Sequence, residues 1–566
     1  MALGRISHLT FTNTFTKELK RDPATEGHPD KKPDPPYNPV AHIPLRNAHF
    51  SYVEPEPSPG ASLIIASESS ALLLGLNLPA ILGDDNSKQE FVDVISGNTL
   101  LEGTNPWAHA YAGYQFGFFA GQLGDGRVIS LGEIVNAKGE RWELQLKGSG
   151  KTPYSRFADG YAVLRSSIRE YLASEAMYHL GIPTSRALAL TGSTREVWRE
   201  AAEQGAVIAR LAPSWVRFGS FELPYARGDK ASLKVLADYV IKYHYPDCEH
   251  GVEGDGGRYT RLVDRVARKT AKMTALWQAV GFCHGVMNTD NFSILGLTID
   301  YGPYQFLNAF EPGYICNHSD ESGRYAYNEQ PNISFWNVGR LAVALSALIV
   351  DEFEGNSSPA EAAILDVLNQ FQLLLEGEYV SIMRKKLGLQ TAKDDDLHTL
   401  IQPLLSIMAE CRADYTQFFR TLSSISTSEL SQIGHNQQAS PFAILHRENP
   451  NVFFDIPCSP QITTRFVKWG TGYVERLRSE MADGIAESTA DAQRMKQMKS
   501  ANPKYVIRNH LAQSVIDDAE KGNFDRLHAY MKVLERPYED GSLDEQKIWA
   551  GAVPLAMAGL KCSCSS

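Results

Sequence analysis

The feature that most constrains this chain is a segment, residues 281–302, in which Asn291 and Asp300 stand nine residues apart. A helical pattern of apolar residues leads into the segment and is expected to end at its first glycine. Two short apolar runs, 292–295 and 297–299, predict a hairpin with Asn291 and Asp300 at its open end. An amide oxygen beside a carboxylate suits a Mg²⁺ ion on a nucleotide, so the segment predicts a metal–nucleotide site. The alternative is that these polar residues only cap the turns at the ends of the hairpin.

The same segment is spaced like the catalytic loop of protein kinases, which carry H-x-D-x-x-x-x-N followed by D-F-G. His284 and Asn291 have the kinase separation, and Asp300 opens a Asp-Tyr-Gly triplet in place of D-F-G. The departure is Val286, which occupies the position of the catalytic aspartate and cannot accept a proton from a substrate hydroxyl. Asp290 is the nearest replacement carboxylate, so chemistry other than ordinary phosphoryl transfer is expected.

Upstream, a glycine turn and two strands predict a place for phosphate groups. Gly124 and Gly126 flank a tight turn, which is followed by a predicted strand at 128–135. Glycines at such a turn let backbone N–H groups approach phosphate oxygens. A further strand, 142–147, alternates strictly between apolar and polar residues and ends at Lys147. A plain meander with a solvent-facing lysine is the alternative interpretation of this stretch.

Three charged residues outside that turn complete the predicted site. A helix expected over 161–180 carries Glu170 off its apolar stripe, where it is either solvated or paired with Lys147. A strand lysine held by a glutamate of the following helix is how kinases place an ammonium group beside the phosphates. Arg210 and Arg217 lie in an otherwise apolar stretch, where a guanidinium needs a phosphate or a carboxylate partner.

Composition sets outer limits on what the chain does. Its 566 residues are 43% hydrophobic and 21% charged, which excludes a wholly disordered chain. The formal net charge of -11 opposes binding to nucleic-acid backbones, so no nucleic-acid partner is expected. The longest mostly apolar run, 341–350, is about half of what a membrane-spanning helix needs, so no membrane span is expected. Seven scattered cysteines without a CxxC pair argue against structural zinc.

These patterns together predict an α+β chain with a protein-kinase-like, two-lobed fold. An N-terminal arm, 1–60, is dense in proline and is expected to be extended or disordered. The remaining parts are an N-terminal region and N-lobe at 61–235, an enlarged helical C-lobe with the catalytic loop and the metal aspartate at 236–545, and a cysteine-containing tail at 546–566.

Four stretches of the chain, 117–133, 145–156, 284–303 and 312–320, closely resemble the selenoprotein O family. The resemblance covers most of the chain and includes a C-terminal Cys-Ser-Ser at Cys564, where some relatives carry selenocysteine. It implies a pseudokinase that is an enzyme, transferring AMP from ATP to Ser, Thr or Tyr hydroxyl groups of proteins with release of pyrophosphate. It also implies dependence on Mg²⁺ or Mn²⁺ and a nucleotide inverted relative to ordinary kinases.

The resemblance assigns a role to each matching residue. Nucleotide contacts are assigned to Gly124, Gly126, Arg127, Lys147, Asp159, Gly160, Arg210, Arg217 and Asp300. The ion-pair partner of the lysine is Glu170, the general base is Asp290, and the metal ligands are Asn291 and Asp300. An aspartate at the ATP site suits hydrogen bonding from the adenine amino group.

Two other functions remain open from the sequence. One is a small-molecule kinase of the aminoglycoside or choline kinase type, because His284-Gly285 followed by Asn291 also occurs there, although Val286 argues against it. The other is a pseudokinase scaffold that binds ATP without catalysis. Labelled ATP separates the three, because only AMP transfer leaves the α-label on protein.

The tail suggests a hypothesis of redox control. Cys316 lies 16 residues beyond Asp300, in the segment that covers the substrate entrance in kinases. A disulfide between Cys316 and Cys564 would pin that segment shut, with Cys562 as a competing partner and two free thiols as the alternative. Family resemblance favours a mitochondrial location, which the N-terminus supports weakly, with the cytoplasm as the alternative, and a monomer is expected.

Overall fold

The computed structural model describes residues 4–23, 47–251, 256–432, 442–454, 459–481 and 486–560. Within these ranges the chain combines one large antiparallel sheet with many helices, which confirms the predicted α+β class. The strands are β1 (Phe50–Tyr52), β2 (Ser62–Ala66), β3 (Trp107–Tyr111), β4 (Tyr114–Gln115), β5 (Phe118–Phe119), β6 (Leu123–Gly124), β7 (Val128–Val135), β8 (Arg141–Lys147), β9 (Ala162–Val163), β10 (Arg186–Trp198), β11 (Ala202–Ala212), β12 (Phe282–Cys283) and β13 (Gln305–Phe306).

The helices come mostly after the sheet in the chain. They are α1 (Thr14–Glu18), α2 (Glu68–Leu73), α3 (Leu78–Leu82), α4 (Asp85–Ile95), α5 (Leu164–His179), α6 (Phe218–Ala226), α7 (Lys230–His244), α8 (Arg258–Val280), α9 (Gln330–Glu352), α10 (Ser357–Lys386), α11 (Gln402–Glu410), α12 (Tyr415–Leu422), α13 (Thr427–Leu430), α14 (Ala443–Glu448), α15 (Pro460–Arg478), α16 (Glu487–Ala501), α17 (Asn509–Ala519), α18 (Asp525–Leu534) and α19 (Leu543–Trp549). The predicted helical region after residue 356 is therefore present.

The main sheet has the strand order β1-β3-β7-β8-β11-β10-β2, with β6 paired to β3 and β9 paired to β11. Strand β8 lies at its centre and its two faces meet different surroundings. Leu144 and Leu146 are fully buried in an apolar cluster that includes residues of α4. Gln145 and Lys147 alternate with them and therefore lie on the opposite face, which turns the end of β8 toward the functional site.

Helix α5 crosses the second face of the sheet. It starts at Leu164, three residues later than predicted, because Ala162 and Val163 pair with strand β11 instead. It ends before Gly181, whose positive φ of 77° is the left-handed conformation that commonly terminates helices. Helices α17 and α18 near the C-terminus pack on α5, so the end of the chain returns to the sheet region.

The prediction of a hairpin across residues 292–299 is wrong. The segment forms a turn with a single antiparallel bridge between Phe292 and Thr298. A ladder does not form because the backbone groups bond elsewhere: the carbonyl of Phe292 accepts from the Phe218 amide, and the Ile294 amide donates to Val216. Asn291 and Asp300 nevertheless both reach the same cavity, as the prediction required.

The N-terminal arm, residues 1–60, is not extended or disordered throughout. Parts of the predicted N-terminal arm pack into the core, since Phe15 and Phe50 are buried, whereas 24–46 lies outside the described residues.

One described helical stretch, Tyr327–Glu352, is long and apolar enough to cross a membrane, and 56% of its most apolar window is buried inside the protein. It packs against α8 and α10, as a core helix does.

Candidate active site

A cavity of about 550 Å³ opens between the glycine turn before β7, the end of β8, helix α5 and the segment 286–302. It is large enough for a small-molecule ligand. Seven of the predicted site residues line it: Gly124, Gly126, Arg127, Lys147, Glu170, Asn291 and Asp300. The site is therefore assembled from segments more than 150 residues apart in the chain.

The lysine of β8 and the glutamate of α5 form an ion pair at the wall of this cavity. Lys147 Nζ lies 2.6 Å from Glu170 Oε2, and both residues are buried. Burial alone would raise the pKa of Glu170, but the charges of Lys147 and Arg210 hold it below its ordinary value. The pair keeps an ammonium group fixed beside the space that a ligand would occupy.

Asp300 is held by three cations. Its Oδ1 lies 3.0 Å from Arg210 Nη1 and 4.0 Å from Lys147 Nζ, and its Oδ2 lies 2.7 Å from Arg217 Nη1. Although burial opposes ionisation, these cations hold the pKa of Asp300 far below its usual range. Its φ of 55° lies in the left-handed region, which few non-glycine residues adopt but which aspartate tolerates better than most.

The two arginines are fully buried and do not line the cavity. Arg210 joins Glu170 to Asp300 and stacks on Trp215 at 4.4 Å from its ring centre. Arg217 joins Asp300 to the backbone carbonyl of Asp290, 2.8 Å away. Both guanidinium groups therefore bind Asp300 from behind the cavity wall, and their contact with a nucleotide stays a prediction.

Asp290 lies next to the cavity-lining Asn291 and has few partners. Its Oδ2 accepts a hydrogen bond of 3.2 Å from Gln115 Nε2, and its buried Oδ1 has no partner among the described residues. A side chain at Gly113 would place its Cβ 2.3 Å from this Oδ1, so only glycine fits there. Burial raises the pKa of Asp290 to about 6 despite the nearby charge of Arg217. This carboxyl group can gain and lose a proton close to neutral pH.

The cover over Asp290 is a short hairpin, residues 113–120 with strands β4 and β5, which we call the base hairpin. Its backbone is tied to the loop below it, since the Tyr114 amide donates to Thr289 Oγ1 at 2.7 Å. Thr289 Oγ1 in turn donates to Glu222 Oε2 at 2.6 Å. These bonds fix the hairpin to the residue adjacent to Asp290.

Asn291 and Asp300 supply oxygen atoms that fit a divalent cation carried by nucleotide phosphates. Asn291 donates its amide nitrogen to the Val286 carbonyl at 3.0 Å, which leaves the amide oxygen for the cavity. The described residues contain no cluster of three His, Cys, Asp or Glu side chains that could hold a metal alone. A nucleotide-bound Mg²⁺ needs only one or two protein ligands, so this donor set is sufficient.

Asp159 and Gly160 lie in the loop before β9 and do not line the cavity. Asp159 pairs with Arg199 at 2.7 Å and accepts a hydrogen bond from the Tyr161 amide. Gly160 has a φ of 80°, and a Cβ there would lie 2.3 Å from the backbone of Gly150. Their contact with a nucleotide stays a prediction, while their observed contacts shape the loop.

Several residues at the site carried no usable signal in the sequence. Asp125, between the two glycines of the turn, is buried 3.9 Å from Arg217, and its pKa is raised chiefly by burial. Gln115 and Gly113 meet Asp290 from a hairpin without a motif. The far wall of the cavity comes from the C-terminal region, where Gln513, Ile516 and Leu560 line it.

Of the two cysteines that the redox hypothesis pairs, only Cys316 lies among the described residues, so the pairing stays a prediction. Cys316 is buried, and its Sγ lies 3.5 Å from the Sγ of Cys283, a residue that the sequence did not single out. Both thiols are free, and burial raises the pKa of the Cys316 thiol well above its ordinary value. Cys562 and Cys564 lie outside the described residues.

The chain is similar to a family of nucleotidyltransferases over most of its length. Residues 37–535 match the family model described as protein adenylyltransferase SelO. A protein of Cupriavidus metallidurans named protein nucleotidyltransferase YdiU is 44% identical over 92% of this chain and 90% of its own length. Proteins of the same name from Thioalkalivibrio sulfidiphilus and Azotobacter vinelandii are 43% and 42% identical, over 90% and 92% of this chain and 95% and 97% of their own lengths.

Proposed function

The chain belongs to the protein adenylyltransferase SelO family and is a protein nucleotidyltransferase, and from this premise we propose that its cavity transfers AMP from ATP to Ser, Thr or Tyr hydroxyl groups of proteins. One observation carries the proposal. The Lys147–Glu170 pair, Asn291 and Asp300 line a single cavity, while the position of a kinase's catalytic base is held by Val286, which lines the same cavity. Asp290, the residue directly before Asn291, supplies another carboxylate.

The reaction is a displacement at the α-phosphorus of ATP. A hydroxyl oxygen of the acceptor forms a bond to that phosphorus, the bond to the bridging oxygen breaks, and pyrophosphate leaves. The hydroxyl proton goes to Asp290, whose pKa of about 6 leaves it mostly ionised at neutral pH. Lys147 lies where it can neutralise negative charge that builds on the phosphate oxygens.

The remaining residues position this lysine and the metal ligands. Glu170 holds Lys147, and Arg210 and Arg217 hold Asp300 ionised from behind the cavity wall. Mg²⁺ or Mn²⁺, when bound through Asn291 and Asp300, supplies charge neutralisation at the phosphates. Gly124, Gly126 and Arg127 line the cavity where backbone N–H groups and a guanidinium can contact the nucleotide.

The finer architecture is part of the same proposal. The strand lysine, helix glutamate and metal aspartate occur in the order of a protein-kinase-like fold, so we assign an N-lobe to 61–235 and a helical C-lobe to 236–545. Within that fold the nucleotide is inverted relative to ordinary kinases, which would place its α-phosphorus beside Asp290.

Regulation, location and assembly are also proposals. A disulfide of Cys564 with Cys316 would lower activity under oxidising conditions, and Cys283 is a further candidate partner because of its 3.5 Å contact with Cys316. Activity that is unchanged by dithiothreitol and by Cys564→Ser would contradict this control. The protein acts as a monomer in mitochondria or in the cytoplasm, with no nucleic-acid partner and no membrane span.

The decisive experiment compares ATP labelled at the α- and γ-phosphates. The proposal predicts that the α-label, and not the γ-label, becomes covalently attached to acceptor protein or to the enzyme itself. A γ-label on any acceptor would indicate a kinase, and ATP binding without label transfer would indicate a scaffold.

A further inference from the structure

Next to the base hairpin, two guanidinium groups lie on a surface of aromatic rings. Arg340 stacks on Tyr114 with its Cζ 4.1 Å from the ring centre, and it also donates to the Tyr114 hydroxyl oxygen. Arg324 lies over Trp336 with its Cζ 4.8 Å from the ring centre. The rings of Tyr114 and Trp336 meet edge to face at 5.5 Å, so the four side chains form one continuous patch. We call this patch the acceptor surface.

Unlike Arg210 and Arg217, the two arginines of the acceptor surface form no ion pair with a described residue. The charge of Arg340 only partly offsets the burial that raises the pKa of Glu222 to about 7. Within the ranges that the structure describes, no carboxylate oxygen lies within 4.0 Å of either guanidinium, whereas Arg210 and Arg217 are each paired with Asp300. Both side chains are partly exposed. Their charges are therefore held in place by rings and are open to a partner of opposite charge.

The acceptor surface is connected directly to the proposed base. Tyr114 belongs to the base hairpin, whose next residue, Gln115, donates to Asp290. Arg324 also lies against this hairpin, because a Cβ at Gly117 would be 3.3 Å from its Cζ. Phe118 and Phe119 in strand β5 are 79% and 43% exposed, so this strand of the hairpin faces the solvent from which an acceptor arrives.

From this arrangement we propose that Arg324 and Arg340 bind acidic side chains of the acceptor protein and so place a neighbouring hydroxyl group at Asp290. The proposal rests on the proposed AMP transfer, and it adds the chemical class of acceptor segment: a Ser, Thr or Tyr flanked by Asp or Glu. Charge complementarity supports it, because guanidinium groups bind carboxylates in paired geometry.

Two synthetic peptides test the proposal. They share one serine and differ only in whether glutamate or glutamine flanks it. Fluorescence anisotropy with the full-length enzyme should give a Kd about tenfold lower for the glutamate peptide, as two partly exposed charge pairs would provide. The preference should shrink as salt is added, because ions screen exposed charges.

Matched variants test whether Arg324 and Arg340 cause the preference for the glutamate peptide. Arg324→Gln with Arg340→Gln should bind both peptides alike, while Arg324→Lys with Arg340→Lys should keep part of the preference, which guards against simple misfolding. Arg447→Gln with Arg465→Gln is the control, because it removes the same charge from two exposed, paired arginines elsewhere. Equal binding of the two peptides by the unmodified enzyme would overturn the proposal, and so would a preference that survives in the double glutamine variant.

Transfer of AMP is scored separately with α-labelled ATP and the same peptides. We expect kcat/KM for the glutamate peptide to fall about tenfold in the double glutamine variant, with ATP affinity unchanged. A binding preference without any label on peptide or enzyme would contradict the proposed function and leave the acceptor surface supported. Labelling of peptide or enzyme without a binding preference would support the proposed function and contradict the acceptor surface.

Discussion

Asp300 and Asp290 are carboxylates ten residues apart in the chain, and they lie among different neighbours. Asp300 contacts Arg210, Arg217 and, at 4.0 Å, Lys147, whereas Asp290 receives one hydrogen bond from a neutral glutamine. The pKa of Asp300 is consequently held far below its usual range, while burial raises that of Asp290 to about 6.

This difference separates two chemical roles. A carboxylate surrounded by cations stays ionised at every working pH and suits a metal ligand and an anchor for the arginines. A carboxylate with few partners exchanges its proton near neutrality, which is the property that a general base requires. Two aspartates on one short segment are thus tuned apart by their surroundings alone.

The largest expected effect comes from replacing Asp300, the aspartate that stays ionised. Asp300→Ala should lower AMP transfer by about 10³-fold, because it removes a predicted metal ligand and the carboxylate that Arg210 and Arg217 share, leaving Glu170 and Asp125 as their remaining acidic neighbours. Incorporation of α-labelled AMP measures this loss. Asp351→Ala, which removes an exposed carboxylate paired with Lys230, should be nearly silent. Near-normal transfer in Asp300→Ala would break the assignment.

A smaller loss of activity is expected when Lys147, a cation next to Asp300, is replaced. Lys147→Met should lower kcat/KM by about 10²-fold, because the charge beside the phosphates is lost while Arg210 still holds Glu170 and Asp300. Lys230→Met serves as a control at an exposed ion pair. If both variants lost the same activity, Lys147 would have no special place at the nucleotide.

The surroundings of Asp300 and of Asp290 also differ in how far the sequence predicted them. Lys147, Glu170, Asn291 and Asp300 were predicted together, because each stands at a fixed position of a strand, helix or loop pattern that implies its neighbours. The surroundings of Asp290 were not predicted, because the base hairpin has no motif and meets Asp290 only through the fold.

Long-range contacts explain the other differences. The hairpin predicted at 292–299 failed because its backbone groups bond to residues 216 and 218, which no local pattern reveals. The cavity wall from α17 and Leu560 was missed for the same reason, since it comes from the far end of the chain. The Cys283–Cys316 contact likewise depends on the fold of the region between them.

The base region is tested sterically at Gly113. Gly113→Ala should lower kcat by about 30-fold with little change in ATP affinity, because its Cβ would lie 2.3 Å from Asp290 Oδ1 and displace the carboxylate. Gly339→Ala is the control, since a Cβ there meets nothing within 4 Å. Calorimetry with ATP and single-turnover transfer separate the two quantities. Unchanged kcat in Gly113→Ala would argue that Asp290 is not the base.

The smallest expected effect is a shift of the pH profile. Because Asp290 must be ionised to accept a proton, kcat/KM should fall as pH decreases through about 6. The hydrogen bond from Gln115 lowers this pKa, so Gln115→Leu should move the midpoint to higher pH by less than about one unit. A midpoint that stays in place or moves to lower pH would contradict the role of Asp290.

The central claim is that the acceptor hydroxyl attacks the α-phosphorus with Asp290 taking its proton. Intact-mass analysis of enzyme and acceptor protein after incubation with ATP and Mg²⁺ tests it most directly, with Asp290→Asn alongside. We predict that the unmodified enzyme adds the mass of AMP and releases pyrophosphate, and that Asp290→Asn adds almost none. Addition of a phosphate mass, or equal AMP addition by both proteins, would contradict the account.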